Sequence, residues 1–239
     1  MNLHPSPDET LDTFINGDLQ IIQKKNGYRF SIDAVLLSQF IRIHKNERVI
    51  DLGTGCGILP LLLSRTTRAK SFVGVEIQKR LAECARKNVS LNRLEDRISI
   101  LRNDLRGLKK TFQAGSFDVV LSNPPYRKVR TGRINPSAEK AIARHEMKGT
   151  LDNLVSMASY LLPPKGRCYV IFSASRAVDL LVALRSWKLE PKRLQFIHPR
   201  AGEEAKFILA ESIRDSGMEL KIMKPLLLHE SGMDNPSSL

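Results

Sequence analysis

The feature that most constrains how this chain can fold is an alternation of two periodicities. Between residues 48 and 187, short apolar runs closed by glycine, proline or polar turns alternate with stretches whose apolar residues recur every three or four positions. The runs at 48–52, 71–75, 98–101, 118–122 and 168–172 suit buried strands, whereas 58–64, 78–91, 151–162 and about 176–187 carry helical spacing. Ser31 stands where it caps a further helix to about residue 43, with Ile32, Val35, Leu36, Phe40 and Ile43 on one face. Strands joined in sequence through helices need right-handed crossovers. The pattern therefore predicts an α/β fold with a Rossmann-like, doubly wound and mostly parallel sheet. Runs at 194–197 and 207–211 have no clear helix between them and predict an antiparallel hairpin at one edge.

Residues 1–30 read as a lead-in in which two short extended runs, 13–15 and 19–23, flank Asn16-Gly17. Residues 31–230 form the expected domain, and 231–239 a frayed tail. Lys and Arg number 38 against 25 Asp and Glu, a formal charge of +13. That excess is more than solubility needs and points to a polyanion such as nucleic acid, although an anionic membrane surface or an acidic protein suits the charge too. Cys56, Cys84 and Cys168 are too far apart and too few for a disulfide framework or a metal knuckle, so each is expected as a small buried apolar residue in a reducing compartment. Residues 1–10 lack a signal-peptide core, and the longest uncharged run, 52–64, has 13 residues against the ~18 of a spanning helix. A cytoplasmic protein, monomeric or weakly dimeric, is expected.

The segment Val49-Ile50-Asp51-Leu52-Gly53-Thr54-Gly55-Cys56-Gly57 passes from a strand into a helix, outside the strand carboxyl ends where open α/β sheets bind ligands. Its spacing is GxGxG rather than the GxGxxG of dinucleotide sites. Asp51 precedes the glycines, and a carboxylate there repels a pyrophosphate but favours a ligand ammonium, directly or through water. S-adenosylmethionine has an ammonium, a sulfonium and no phosphate, and is the cofactor expected. Glu76 closes the second strand run, where a carboxylate can accept from both hydroxyls of a ribose. Asn103-Asp104-Leu105 follows the third run at the same sheet edge; an aspartate there can accept from an adenine amino group, although Asn-Asp after a strand is also ordinary turn chemistry.

The fourth run leads into Asn123-Pro124-Pro125-Tyr126. The prolines fix the backbone and leave carbonyls without a neighbouring amide donor. The Asn123 side-chain oxygen and the Pro124 carbonyl can then accept both hydrogens of one planar NH2 group and aim its lone pair at a methyl sulfonium. Tyr126 can stack on the ring that bears the amine. A delocalised amine is a poor nucleophile, and acceptors that draw it toward sp3 help carry its growing charge. These four residues are the candidate catalytic group, and no metal or covalent intermediate is required.

Together, 51–57, Glu76, Asn103-Asp104 and 123–126 resemble a class I S-adenosylmethionine-dependent amino-methyltransferase. Gly27-Tyr28-Arg29-Phe30-Ser31-Ile32-Asp33-Ala34, Ala143-Arg144-His145-Glu146 and Phe196-Ile197-His198-Pro199 are similar to a narrower group. That group is the bacterial tRNA (adenine-N6)-methyltransferases acting on adenosine 37 of a valine tRNA. The resemblance runs from about residue 14 to 229. It implies that Asp51, Gly53, Gly55 and Glu76 bind the methionine and ribose of the cofactor and that Asp104 binds its adenine. Leu52, Gly57, Ile77, Asn103, Leu105 and Asn123 would line the same site. Asn123, Pro124 and Tyr126 would hold the target adenine. Ser31 and Asp33 match a segment near the cofactor's methionine end, although Ile32 separates them where some members have Thr-Asp adjacent.

Between 127 and 144, Arg127, Lys128, Arg130, Arg133, Lys140 and Arg144 face only one acid, Glu139. A basic loop on the rim of the proposed site would track RNA phosphates; the alternative is a solvated loop. Arg80, Arg86 and Lys87 are expected on the wet face of their helix, and Trp187 as a core anchor. His4, His44 and His229 read as surface residues. His145 reads as structural or RNA-facing, and neither it nor His198 has metal-ligand spacing. The function expected is methyl transfer from S-adenosylmethionine to N6 of an adenine in structured RNA, most naturally tRNA. The alternatives are N5-methylation of a glutamine in a protein, or a non-catalytic RNA-binding factor with a retained cofactor pocket.

Overall fold

The computed structural model describes residues 5–26, 32–124 and 151–229. An N-terminal hairpin pairs β1 (Glu9–Phe14) with β2 (Leu19–Lys24) antiparallel, its turn a single 3-10 segment over Ile15–Gly17. Helix α1 (Ile32–Phe40) leads into the alternating core: β3 (Arg48–Leu52), α2 (Ile58–Thr66), β4 (Ser71–Glu76), α3 (Lys79–Leu91), β5 (Ile98–Arg102) and β6 (Val119–Ser122). After residue 150 come α4 (Leu151–Leu161), β7 (Arg167–Ser173), α5 (Ala177–Ser186), β8 (Leu189–His198) and β9 (Phe207–Arg214), then two short strands, β10 (Lys221–Ile222) and β11 (Leu226–Leu227).

Among the described residues, a nine-stranded sheet runs β10-β8-β9-β7-β6-β3-β4-β5, with β11 also on β8. Strands β3 to β7 are parallel. The expected hairpin is β8–β9, and β9 inserts antiparallel between β7 and β8. Its outer strand is not left bare, because β10 and β11 pair with β8 in parallel register. Two-residue strands carry no periodicity and could not be read beforehand.

The sheet is covered on both sides. One core joins Leu37, Leu61 and Val89 of α1, α2 and α3 to Tyr169 and Ile171. The other joins Leu154, Ala158, Leu180 and Leu184 of α4 and α5 to Cys168, Val170 and Phe172. Successive β7 side chains thus go to opposite cores, which is why 168–172 is apolar throughout and not alternating. All three cysteines are free and buried.

Helix α1 stops at Phe40 and not near residue 43, and Ile32, expected on its apolar face, is 39% exposed. Two further expectations fail. Trp187 is 40% exposed at the end of α5, and its Nε1 donates to Asp152 Oδ1 at 2.7 Å. An indole can satisfy its N–H at the rim of a helix pair, so size alone did not place it inside. Arg86 and Lys87 are not a wet face. Arg86 donates from Nε and one terminal nitrogen to Ile100 O at 3.3 and 3.2 Å, and Lys87 Nζ lies 2.8 Å from Glu9 Oε2. Their long stems carry charge across the helix edge to partners on β5 and β1. No described helix is long and apolar enough to cross a membrane.

Candidate active site

The turns after β5, β4, β3 and β6 lie side by side, because these strands are parallel neighbours in that order. The Asp51, Glu76, Asn103-Asp104 and Asn123 positions therefore share one sheet edge. Ser122 Oγ donates to Leu52 O at 2.7 Å, which ties the end of β6 to the end of β3 and sets Asn123 and Pro124, both half-buried, beside the glycine turn.

The turn itself is held from β4. Gly53 N and Thr54 N both donate to Val75 O at 2.9 Å, and Gly57 N donates to Thr54 O at 2.9 Å. Gly57, the residue before α2, has φ 86° and its absent Cβ would sit 3.3 Å from Ala85 Cβ. That is a left-handed conformation at a close helix contact, and glycine suits both demands. Gly53, at φ 84°, has nothing within 4 Å of where a Cβ would be, so its backbone faces open space.

Asp51, the last but one residue of β3, is 1% exposed just before this turn, and neither carboxylate oxygen has a hydrogen-bond partner among the described residues. Burial pushes its carboxyl up to about 7, the nearby Thr54 hydroxyl, which makes no hydrogen bond of normal geometry to it, pulls weakly the other way, and the charge of Glu76 adds to the rise. A buried carboxylate without a donor is costly, and a ligand ammonium would relieve it.

Glu76 is also buried, but its oxygens meet backbone donors. Oε2 accepts from Gly55 N at 3.0 Å and Oε1 from Gln78 N at 2.8 Å, while Ile77 sits half-buried between. Next along the edge, Asn103 N donates to Glu76 O at 3.1 Å. Asp104 precedes the 3-10 turn Leu105–Lys110 and accepts from Arg106 N at 3.0 Å, and the Arg106 guanidinium lies against it at 2.6 Å. The Arg106 partner was not foreseen; an Asp two residues before an Arg was the only signal for it.

Leu52 is buried behind the turn, and Asp33 is buried in the first turn of α1. Ser31, Pro125, Tyr126, Arg127, Lys128, Arg130, Arg133, Lys140 and Arg144 lie outside the described residues, as does His145. His198 ends β8, its Nδ1 2.7 Å from Glu203 O. The described residues contain no group of three or more His, Cys, Asp or Glu placed to hold a metal.

The residues fit S-adenosylmethionine: an unpartnered buried carboxylate at an open glycine turn, with a second carboxylate at the next strand end. The strand order, with one antiparallel strand among parallel ones, and this turn define the class I methyltransferase fold. The family model of the methyltransferase small domain matches residues 29–181, and the chain belongs to that family. Among curated proteins, the chain is 32% identical over 184 residues to the tRNA1(Val) (adenine(37)-N6)-methyltransferase of Tolumonas auensis, covering 74% of each. It is 33% identical over 167 residues to the protein of the same name from Porphyromonas gingivalis, and the match spans 69% of this chain but only 65% of that relative. Among solved structures, a predicted O-methyltransferase of Agrobacterium tumefaciens superposes with a TM-score of 0.69 at 23% identity, covering 84% of this chain and 90% of the other. That last likeness is one of fold.

Proposed function

We propose that this protein transfers the methyl group of S-adenosylmethionine to N6 of an adenine in structured RNA, with tRNA as the substrate class, and releases S-adenosylhomocysteine. The observation that carries the donor half is the buried, unpartnered Asp51 carboxylate at the glycine turn. The names of the curated relatives support the acceptor half, as does the position of Asn123 and Pro124 beside that turn.

Bound there, the cofactor supplies an electrophilic methyl group on a sulfonium. Asp51 holds its ammonium end, Glu76 and Asp104 its ribose and adenine, and Asp33 with Ser31 the methionine end. Asn123 and the Pro124 carbonyl accept the two N6 hydrogens of the target adenine and keep the lone pair in line with the methyl carbon. The same acceptors share the positive charge that grows on N6, and one N6 proton then leaves to solvent to give the neutral methylated amine. Tyr126 stacks on the base, which must be everted because pairing uses N6. Arg127, Lys128, Arg130, Arg133, Lys140 and Arg144 track the phosphates around it.

The test uses purified protein, methyl-labelled S-adenosylmethionine and separate pools of bulk tRNA, ribosomal RNA and cell protein. N6-methyladenosine in digests of the tRNA pool alone is the expected result. Label recovered as methylglutamine from protein would overturn it.

A further inference from the structure

Helix α3 presents two asparagines to β2. Asn88 Oδ1 accepts from Ile22 N at 2.7 Å, and its Nδ2 donates to Ile22 O at 3.0 Å. One turn on, Asn92 Oδ1 accepts from Gln20 N at 2.9 Å, and its Nδ2 donates to Gln20 O at 2.6 Å. Residues four apart on a helix are separated by about 6 Å along its axis. Residues two apart on a strand are separated by about 6.7 Å. The two amides therefore meet the outward backbone groups of β2 much as a neighbouring strand would. Sequence reading passed over both residues, because helical periodicity marks apolar faces and is silent on buried amides.

The two asparagines differ in where their remaining donors go: within its own helix Asn88 Nδ2 also reaches Cys84 Sγ, at 3.8 Å. Asn88 Nδ2 also donates to Cys56 O, in the glycine turn, at 3.0 Å. The further bond of Asn92 Nδ2 returns to Asn88 O at 2.7 Å, inside the same helix. Asn88 is 0% exposed, so the turn and the hairpin are joined through one buried amide.

We infer, on the reading of the 53–57 turn as the cofactor cradle, that Asn88 is a positioning residue that couples the N-terminal hairpin to cofactor binding. Its NH2 group spans Ile22 O and Cys56 O, and neither bond can move far without breaking the other. Ile22 O has a second donor in Cys84 Sγ at 3.2 Å, so the costly loss is that of the bond to Cys56 O or of the amide's own partners in the interior. Occupation of the turn fixes Cys56 O, which fixes Asn88, which in turn holds β2 against α3. By linkage, the factor by which bound cofactor suppresses opening of the hairpin at Ile22 equals the factor by which that opening weakens cofactor binding.

The experiment uses the whole protein and S-adenosylhomocysteine as probe, with affinity by calorimetry and exchange of the Ile22 and Gln20 amides by NMR. Saturating probe is expected to slow exchange at Ile22 at least tenfold in the wild type. Asn88→Ala is expected to weaken the probe about tenfold. Asn92→Ala, which removes hairpin bonds but no contact with the turn, should speed exchange at Gln20 and leave affinity within about twofold. Equal losses of thermal stability in both variants with wild-type affinity in Asn88→Ala would make Asn88 a docking residue only and overturn the coupling. Unchanged Ile22 exchange in the wild type would overturn it too, even if Asn88→Ala does not fold. A wild type that binds no probe overturns the reading of the turn itself, and the coupling with it.

Discussion

Glu76 Oε2 accepts a hydrogen bond from Gly55 N at 3.0 Å, so the end of β4 holds the middle glycine of the turn that follows β3. The other oxygen of the same carboxylate takes Gln78 N at 2.8 Å and so fixes the entry to α3. The acid assigned to the ribose is thus also a brace for the cradle. Glu76→Ala leaves both N–H groups without that acceptor and should cost about 1.5–3 kcal/mol of stability, together with more than a tenfold loss of S-adenosylhomocysteine affinity. Denaturant titration and calorimetry on the same sample check both; wild-type affinity would show that the turn holds itself.

Asp51 predicts a pH dependence. Burial raises its carboxyl from 3.8 to about 7, so the unliganded fold favours the protonated form. The stability that its protonated form contributes is full below 3.8, falls as the pH rises from there, and is lost once the pH has passed through about 7. A ligand ammonium selects the ionised form instead. Affinity for S-adenosylhomocysteine should therefore rise by up to about tenfold per unit between pH 5 and about 7, and level off above. Asp51→Asn should bind weakly with a flat profile. Proton release on binding, measured calorimetrically in buffers of different ionisation enthalpy, checks the sign.

Asn123→Ala should abolish methyl transfer while leaving S-adenosylhomocysteine affinity nearly intact, since its assigned partner is the target base. Parallel assays of labelled methyl incorporation and of binding decide this. Loss of both together would mean that Asn123 shapes the cradle.

Neutralising Arg127, Lys128 and Arg130 should weaken tRNA binding and flatten its dependence on salt. Each lost phosphate contact removes up to about 0.9 from the slope of log K against log salt. An unchanged slope in filter-binding titrations would move the RNA surface elsewhere.

Away from the site, Arg193 and Glu211 face each other across β8 and β9, Nε to Oε2 at 2.7 Å, and both are nearly buried. Arg193 also donates to Phe40 O at 2.6 Å with its guanidinium 4.1 Å from the Phe40 ring centre, and Tyr169 OH donates to Glu211 Oε1 at 3.0 Å. Removing one partner strands the other charge, so Arg193→Ala should cost about 3–5 kcal/mol. The double variant Arg193→Met with Glu211→Leu should lose less than the sum of Arg193→Met and Glu211→Leu taken singly. Chemical denaturation of the set checks this, and simple additivity would show that the two charges are not coupled.

Much of this molecule was legible locally. Strand β3 falls on residues 48–52 as the pattern predicts, and α3 and α4 fall within a residue of their expected limits. A strand buried on both faces must be apolar throughout, and a helix that covers it must be apolar every three or four residues. The glycine turn was legible for a similar reason, since left-handed backbone and close approach select glycine. Tertiary structure alone decided the insertion of β9 between β7 and β8 and the closing of the β8 edge by β10 and β11. It alone decided the surface place of Trp187, the Lys87–Glu9 pair and the reach of Asn88 to Ile22 and Cys56. Each of these is a match of polar groups or strand edges far apart in the chain. Apolar spacing records which face of an element is buried; which distant donor meets which acceptor there is set only when the elements pack.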